Sequence, residues 1–215
     1  MLGVAILIVV MSVMNGFKTD LTKKILGLNP HIVIQPNNFK IEDSFIVNLE
    51  KTIKNIDISK TYSGEGIVVS RDNAKGIIIK GVDIKNKKTL NFFEQNISSG
   101  SIDNFKRNTA FIGTELSFNL NLKVGDKINL MSSAFVATPF GGLPKQETLT
   151  IAGVFNTGFF EFDQNFVFLN LSDALSIFDK EMYEQNLEIY LSDPMKADGL
   201  KKEIQKQNEN YYIYS

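Results

Sequence analysis

Residues 12–30, SVMNGFKTDLTKKILGLNP, join the end of an apolar segment to an amphipathic pattern with no turn signal between them. Beyond Gly16, large apolar residues recur at helical spacing, namely Phe17, Leu21, Ile25 and Leu28. Lysines and an aspartate occupy the opposite face of this pattern. The sequence therefore predicts one continuous helix that runs from the apolar segment to the residues before Pro30.

The segment before this junction, residues 1–14, reads MLGVAILIVVMSVM and has no charged side chain. A helix of this length extends about 21 Å, which is less than the roughly 30 Å hydrocarbon core of a bilayer. The segment also lacks the basic start and the small-residue cleavage site of a signal peptide. We interpret residues 1–14 as a truncated transmembrane helix whose first half is missing. The alternative is a helix buried in a protein core.

The composition allows a sizeable folded domain and excludes some partners and chemistries. The chain has 215 residues, 43% of them hydrophobic, and a net charge of −1. A chain so close to neutral has no general attraction to nucleic acid. The absence of cysteine excludes disulfides and thiolate chemistry.

Both ends of the chain alternate strand and helix patterns. Near the N-terminus the pattern predicts a strand at 31–35, a helix from about residue 42, and strands at about 59–70 and 75–82 with a polar turn at 71–74. Near the C-terminus it predicts a strand at 187–191, a helix that begins with the cap Asp193-Pro194, and a strand at 211–214. Such blocks predict a split ferredoxin-like α+β subdomain formed by residues 18–83 and 183–215. The strands at 31–35 and 187–191 should then lie in one sheet.

Residues 84–182 would be inserted in this subdomain and are predicted to be mainly β. The pattern predicts strands at 109–112, 127–131, 148–155 and 166–169, with short helices at 114–119 and at about 171–178, the second capped by Ser172.

Residues 134–145, AFVATPFGGLPK, interrupt this order with two prolines and two adjacent glycines. These residues disfavour both strand and helix, so we predict an exposed loop. Phe135, Phe140 and Leu143 are unusual for a solvated loop and suit a docking element. The alternative is that they fold back on the core of the domain.

The sequence offers little for catalysis. It has one histidine, His31, and no Gly-x-Ser-x-Gly nucleophile motif, phosphate-binding loop or dinucleotide fingerprint. His31 follows Pro30 and is predicted to begin a strand. Glu161 and Asp163 could form a metal pair, although a strand end with one polar face explains them more simply. We predict no catalytic residue, no metal site and no cofactor, and we interpret the seventeen phenylalanines as core residues.

Several motifs resemble one family. Residues 13–17, VMNGF, followed by residues 25–31, ILGLNPH, closely resemble the junction of the lipoprotein-releasing permeases, the LolC and LolE subunits of an ABC transporter in the inner membrane of Gram-negative bacteria. Shorter matches cover the rest of the chain and are also similar to the wider family of MacB-type permeases: GVD at 81–83, IG at 112–113 with Leu116, VGD at 124–126, and VF at 154–155 with Gly158 and Asp163.

The resemblance implies a layout. Residues 1–17 would end the first transmembrane helix, and the rest would be a periplasmic domain with a ferredoxin-like porter part (18–83 and 183–215) and an inserted β-rich sabre part (84–182). Lysines just beyond the apolar segment favour the cytoplasm for this end of the helix by the positive-inside tendency, but the resemblance implies the periplasm.

The resemblance also implies partners. The chain would extract lipoproteins from the inner membrane and pass them to the soluble carrier LolA. It would bind a separate ATPase subunit and a second permease subunit, as a hetero- or homodimer. The sequence leaves open whether the chain is LolC-like, LolE-like or a combined subunit. A MacB-like exporter whose loop contacts an adaptor protein is a second interpretation. A membrane-anchored enzyme is a third, which the single histidine opposes.

The segment 134–145 looks like the hook by which LolC-type subunits hold LolA, because Thr138-Pro139-Phe140-Gly141, closed by Pro144, is similar to the LolC hairpin. The carrier-binding residues that the resemblance implies are Phe135, Thr138, Pro139, Phe140, Gly141, Leu143 and Pro144. Gly141 and Gly142 depart from the pattern and should make the tip looser than a basic residue would.

Overall fold

The computed structural model describes residues 2–37, 40–53, 56–70, 73–139, 141–207 and 210–215. Its helices are α1 (Leu2–Leu28), α2 (Asp43–Thr52), α3 (Lys87–Asn96), α4 (Thr114–Asn119), α5 (Phe160–Asn165), α6 (Leu171–Ile177) and α7 (Ala197–Gln207). Its strands are β1 (Ile32–Pro36), β2 (Ile56–Ser70), β3 (Asn73–Val82), β4 (Ile97–Gly100), β5 (Thr109–Gly113), β6 (Lys127–Thr138), β7 (Gly141–Phe155), β8 (Phe166–Asn170), β9 (Asn186–Leu191) and β10 (Tyr211–Tyr214). Short 3₁₀ helices lie at Ile102–Asn104, Met182–Glu184 and Pro194–Lys196.

The strands form one sheet in the order β10-β1-β9-β2-β3-β8-β5-β7-β4, and β6 pairs with both β2 and β7. Strand β1 is antiparallel to both of its neighbours, with Ile32 opposite Ile189 in β9. The predicted pairing of the strands near 31–35 and 187–191 is therefore confirmed. The fold is α+β, and the two ends of the chain meet in the order expected of a split β-α-β subdomain.

Strand β2 belongs to both parts of the molecule. Its residues 56–61 pair with β9, and its residues 66–69 pair with β6. The sheet is therefore continuous from the split subdomain into the insertion, because one long strand runs through both.

Three apolar clusters form the core. The first joins β1, β9 and β10 to α2 and α7, where Ala197 and Ile204 are buried and Leu200 packs against them as predicted. The second lies between the outer parts of β2 and β3 and the insertion, around Val68 of β2 and Leu130 of β6. The third is built largely of phenylalanines, around Phe93 of α3. Most phenylalanines of the described residues confirm the predicted core role; the exposed exceptions are Phe17, Phe118, Phe135 and Phe160.

Several local predictions were wrong. Asn73 and Ala74 belong to β3 and lie opposite Ser70 and Val69 of β2, so they are not part of the turn; residues 71 and 72 lie outside the described residues. The N-cap of α6 is Asn170, whose side chain accepts from the backbone N–H of Ser172. By contrast, the predicted cap at Asp193 is confirmed. Its side chain accepts from the N–H of Met195 at the start of the 3₁₀ helix Pro194–Lys196, which precedes α7. Helix α3 and strand β4 were not predicted.

Helix α1 is continuous from Leu2 to Leu28, as the junction predicts. Its large apolar side chains between Val4 and Phe17 are exposed, so the alternative of a helix buried in the core is wrong. Among the described residues, no helix combines the length and the apolar character needed to cross a membrane.

Deleting residues 1–17 is expected to leave a cooperatively folded domain, because every residue of the three core clusters lies at or after Ile32. Near-ultraviolet circular dichroism and urea unfolding of the shortened chain measure this. A lost tertiary signal accompanied by aggregation would show that the core needs the helix.

Candidate functional site

The segment 134–145 is the end of a long β-hairpin and not the irregular loop that the sequence predicts. Strands β6 and β7 pair from Lys127 opposite Thr150 to Thr138 opposite Gly141. Phe135 lies opposite Pro144, and Val136 lies opposite Leu143. The prolines are compatible with this ladder because it is an exposed two-stranded ribbon at the margin of the sheet.

At the outer end of this hairpin, β6 ends at Thr138 and β7 begins at Gly141. Pro139 is exposed, whereas Phe140 and the side chain of Thr138 lie outside the described part of the structure. Gly141 has a φ of +120°, a backbone conformation that glycine adopts without strain. The glycine at 141 therefore allows the backbone to enter β7. The sequence predicts only that the glycine pair makes the tip looser.

The apolar side chains of the hairpin are offered to solvent. Phe135 is 66% exposed, Leu143 is 60% exposed and Val136 is 48% exposed. The alternative that these side chains fold back on the core is wrong for Phe135 and Leu143. Pro144 and Gly142 are also exposed, and the ring of Phe135 lies beside Gly142 on the facing strand.

The base of the hairpin is attached to the end of α6. The register shifts between Met131 and Phe135, where β6 bulges relative to β7. At the bulge, the hydroxyl of Ser132 donates to the carbonyl of Ile177 and accepts from the N–H of Ala134. Lys145 forms an ion pair with Asp179, with 2.9 Å between Nζ and Oδ1. The stem is therefore fixed while the outer part of the hairpin projects.

A polar cleft of about 440 Å³ lies beside this attachment, lined in part by Tyr62, Lys180 and Glu184. Burial raises the pKa of Tyr62. The hydrogen bond between Lys180 and Glu184, 2.7 Å long, raises the pKa of the lysine and lowers the pKa of the glutamate. The residues that follow α6 thus include Asp179, which pairs with Lys145 of the hairpin base, and Lys180, which lines the cleft.

Asp163 and His31 have structural roles. Glu161 and Asp163 lie in α5 and not at a strand end. Asp163 is buried and accepts from the N–H and the hydroxyl of Thr157, whereas Glu161 is exposed. His31 precedes β1, and its Nδ1 accepts from the N–H of Leu191. No group of three or more histidine or acidic side chains in the described part of the chain could hold a metal.

Sequence reasoning found the exposed residues of the hairpin and missed those that hold it. Ser132 and Asp179 had no motif that pointed to them, since their partners are 45 and 34 residues away along the chain. Val136 was also missed. Successive side chains of a strand point to opposite faces, so Phe135 and Val136 lie on different faces of the hairpin.

Comparisons with known proteins agree with this fold. The model of the MacB-like periplasmic core domain matches residues 1–207. The lipoprotein-releasing system transmembrane protein LolC of Xylella fastidiosa is 25% identical over 179 residues, which cover 82% of this chain and 43% of that protein. The LolE protein of the same system in Haemophilus influenzae is 26% identical over 207 residues, which cover 93% of this chain and 50% of that protein. The chain thus spans about half the length of the curated relatives it matches.

A solved structure is similar in fold alone. The extracellular domain of the noncanonical ABC-type transporter YknZ from Gram-positive bacteria has a TM-score of 0.50 and 10% identity, covering 86% of this chain and 99% of that one.

Proposed function

The chain belongs to the family of MacB-like periplasmic core domains, and from this premise we propose that it is part of a permease subunit that releases lipoproteins from the bacterial inner membrane. The similarity to LolC and LolE proteins over most of the chain supports this proposal. In this proposal residues 1–17 are the end of a membrane helix, and the following domain lies in the periplasm.

In this proposal a separate subunit hydrolyses ATP, and the chain pairs with a second permease subunit. The chain itself is non-catalytic and holds no cofactor. Its own task is to hand the released lipoprotein to the soluble carrier LolA.

The hairpin is the proposed contact with the carrier, and the observation that carries this is its construction. Phe135 and Leu143 are exposed on a ribbon whose base is fixed by Ser132 and Lys145. Apolar side chains contribute to binding when a partner covers them, at about 25 cal/mol per Å² of apolar area. A ladder that is already formed needs less ordering on binding than a free loop, so more of this free energy is available for affinity.

Replacing the exposed hairpin residues is expected to weaken carrier binding. Phe135→Ala, Leu143→Ala and Pro139→Gly should each raise the Kd for LolA about tenfold or more, which corresponds to about 1.4 kcal/mol per decade. The melting temperature should remain nearly unchanged because these residues lie outside the core clusters. The sequence predicts the same result for Phe140→Ala. A titration of the full chain in detergent with LolA from the same bacterium measures the affinities.

Phe118→Ala is the matched control, because Phe118 is 82% exposed and lies in α4, away from the hairpin. It should leave the affinity unchanged. Unaltered affinity of the hairpin variants together with a large loss of stability would mean that the hairpin is packed against the domain. Unaltered affinity and stability, with binding of an adaptor protein instead, would favour the MacB-like interpretation.

A further inference from the structure

We propose that ordered water binds in a small cavity between the split subdomain and the insertion. This water joins the hydroxyls of Ser59 and Thr61 to the ion pair of Lys80 and Glu188, and these four residues line the cavity. The Nζ of Lys80 lies 2.8 Å from Oε1 of Glu188. The site does not involve the hairpin and is independent of the proposed carrier contact.

The polar wall of the cavity comes from one face of the sheet. Ser59 of β2 lies opposite Glu188 of β9. Thr61, two residues farther along β2, lies opposite Val82 of β3, and Lys80 precedes Val82 by two residues. Residues two apart in a strand share a face, and so do residues directly opposite each other on neighbouring strands. The two hydroxyls and the ion pair therefore meet on the same side of the sheet.

The other wall of the cavity is apolar and comes from the insertion. It consists of phenylalanines of the third core cluster, namely Phe92, Phe93, Phe162 and Phe168. Phenyl rings do not replace the hydrogen bonds that a hydroxyl loses when it leaves water. A polar face of the split subdomain is thus covered by an apolar face of the insertion, with the cavity between them.

The two hydroxyls indicate that a polar molecule binds there. Ser59 is only 3% exposed and Thr61 only 1% exposed. Within the part of the chain that the structure describes, neither Ser59 Oγ nor Thr61 Oγ1 has a hydrogen-bond partner. An unpaired buried hydroxyl is unfavourable, and native proteins rarely contain one. Two such hydroxyls at one cavity therefore point to a small ligand that pairs with both.

The size of the cavity and the charges around it identify this ligand as water. A buried water needs at least about 10–15 Å³ of accessible space and two to four polar partners. The cavity, with a volume of about 40 Å³, has room for about two or three water molecules and is too small for an organic ligand. The carboxylate of Glu188 repels an anion and the ammonium of Lys80 repels a cation, whereas neutral water pairs with both groups.

A direct contact between the two parts of the domain lies beside the water site. The Nζ of Lys88 in α3 lies 4.7 Å from the centre of the ring of Tyr190 in β9, and both residues line the cavity. The hydroxyl of Tyr190 donates to Glu188. The insertion is therefore attached to this face of the sheet by a cation–π contact and by bound water.

Thr61→Val tests the water site through the sign of its effect on stability. Valine has nearly the shape of threonine but lacks the hydroxyl. We expect the equilibrium constant for unfolding of the full chain in urea and mild detergent to rise about two- to tenfold, because bound water loses one of its partners. In a dry cavity the same change would remove an unpaired buried hydroxyl, and the constant would fall. A fall, or no change, would overturn the inference.

Thr148→Val is the matched control, because Thr148 is an exposed threonine of strand β7. It measures the effect of placing valine in a strand of this sheet without touching the cavity. Its equilibrium constant for unfolding should differ from that of the unchanged chain by no more than about twofold.

A crystal structure of the full chain in detergent, from crystals grown with sodium bromide, locates the ligand directly. We expect density for water within about 2.5–3.2 Å of Ser59 Oγ and Thr61 Oγ1, without an anomalous signal from bromide. The peak beside residue 61 should be lost in Thr61→Val. An anomalous signal in the cavity would show an anion site. Hydroxyls turned to protein acceptors, with no density between them, would show a dry cavity, and either result would overturn the inference.

Discussion

Replacing Lys80 by methionine is expected to lower the free energy of unfolding by about 3–5 kcal/mol, because it leaves a buried carboxylate without its cation. The Nζ of Lys80 lies 2.8 Å from Oε1 of Glu188, and the two side chains are only 10% and 6% exposed. The hydroxyl of Tyr190 donates to the other carboxylate oxygen. Burial and the charge of Glu188 raise the pKa of Tyr190, so this hydroxyl stays protonated but supplies no positive charge.

The position of this ion pair explains why its loss should be felt by the whole domain. Lys80 is in β3 opposite Ser63 of β2, and Glu188 is in β9 opposite Ser59 of β2. The pair therefore reaches across the strand that the split subdomain and the insertion share. Removing one partner disturbs the packing of both parts.

Urea unfolding of the full chain in mild detergent measures this effect. The double variant Lys80→Met/Glu188→Leu should recover most of the lost stability, because it leaves no unpaired charge in the interior. Lys60→Met is the control, because Lys60 pairs with Asp43 at the surface and should cost less than about 1 kcal/mol. A Lys80→Met variant as stable as Lys60→Met would show that the Glu188 carboxylate is solvated.

The split subdomain could be predicted from the sequence because its elements have strong local signals. The apolar spacing of α7 and the cap formed by Asp193 and Pro194 are sufficient to place that helix, and both are present in the structure. The short strand patterns at the two ends of the chain share a period of two residues. The β-α-β order at each end of the chain then predicted how these strands pair.

The hairpin could not be predicted as a ladder, because its ribbon is exposed on both faces. A half-buried strand is recognised in a sequence by alternating apolar and polar residues. The hairpin has no such pattern, because Phe135, Val136 and Leu143 are all exposed. The local preferences of glycine and proline therefore dominated the prediction. The apolar content did identify the segment as unusual, so its exposed residues were found for a physical reason.

The Lys80–Glu188 pair was equally hidden, since 108 positions separate the two residues along the chain and a charge in a sequence normally indicates a solvated face. Only the order of β3, β2 and β9 in the sheet brings them together. Interactions of this kind depend on topology and not on local pattern.

Phe93→Ala is expected to destabilise the domain by about 3–5 kcal/mol, because it removes a fully buried ring and opens a cavity among the aromatic side chains that it contacts. Phe93 is fully buried, and its ring lies 5.0 Å from that of Phe111, 5.3 Å from that of Phe168 and 5.5 Å from that of Phe105, measured between centroids. Aromatic pairs at such distances contribute about 0.5–1.5 kcal/mol beyond the burial of their area.

This variant also separates the roles of the core and the hairpin. The phenylalanine cluster includes Phe155 at the end of β7, whereas the hairpin turn precedes Gly141 at the other end of that strand. Under conditions in which Phe93→Ala is still folded, it should therefore bind the carrier as the unchanged chain does, while Leu143→Ala should lose affinity and keep its stability. Phe118→Ala, which removes an exposed ring, should change neither property by more than about 0.5 kcal/mol.

Urea unfolding and carrier titration of the three variants give both measurements. Loss of carrier affinity in folded Phe93→Ala would mean that the hairpin depends on the packing of this distant core, and the assignment of its rigidity to the contacts with α6 would be wrong.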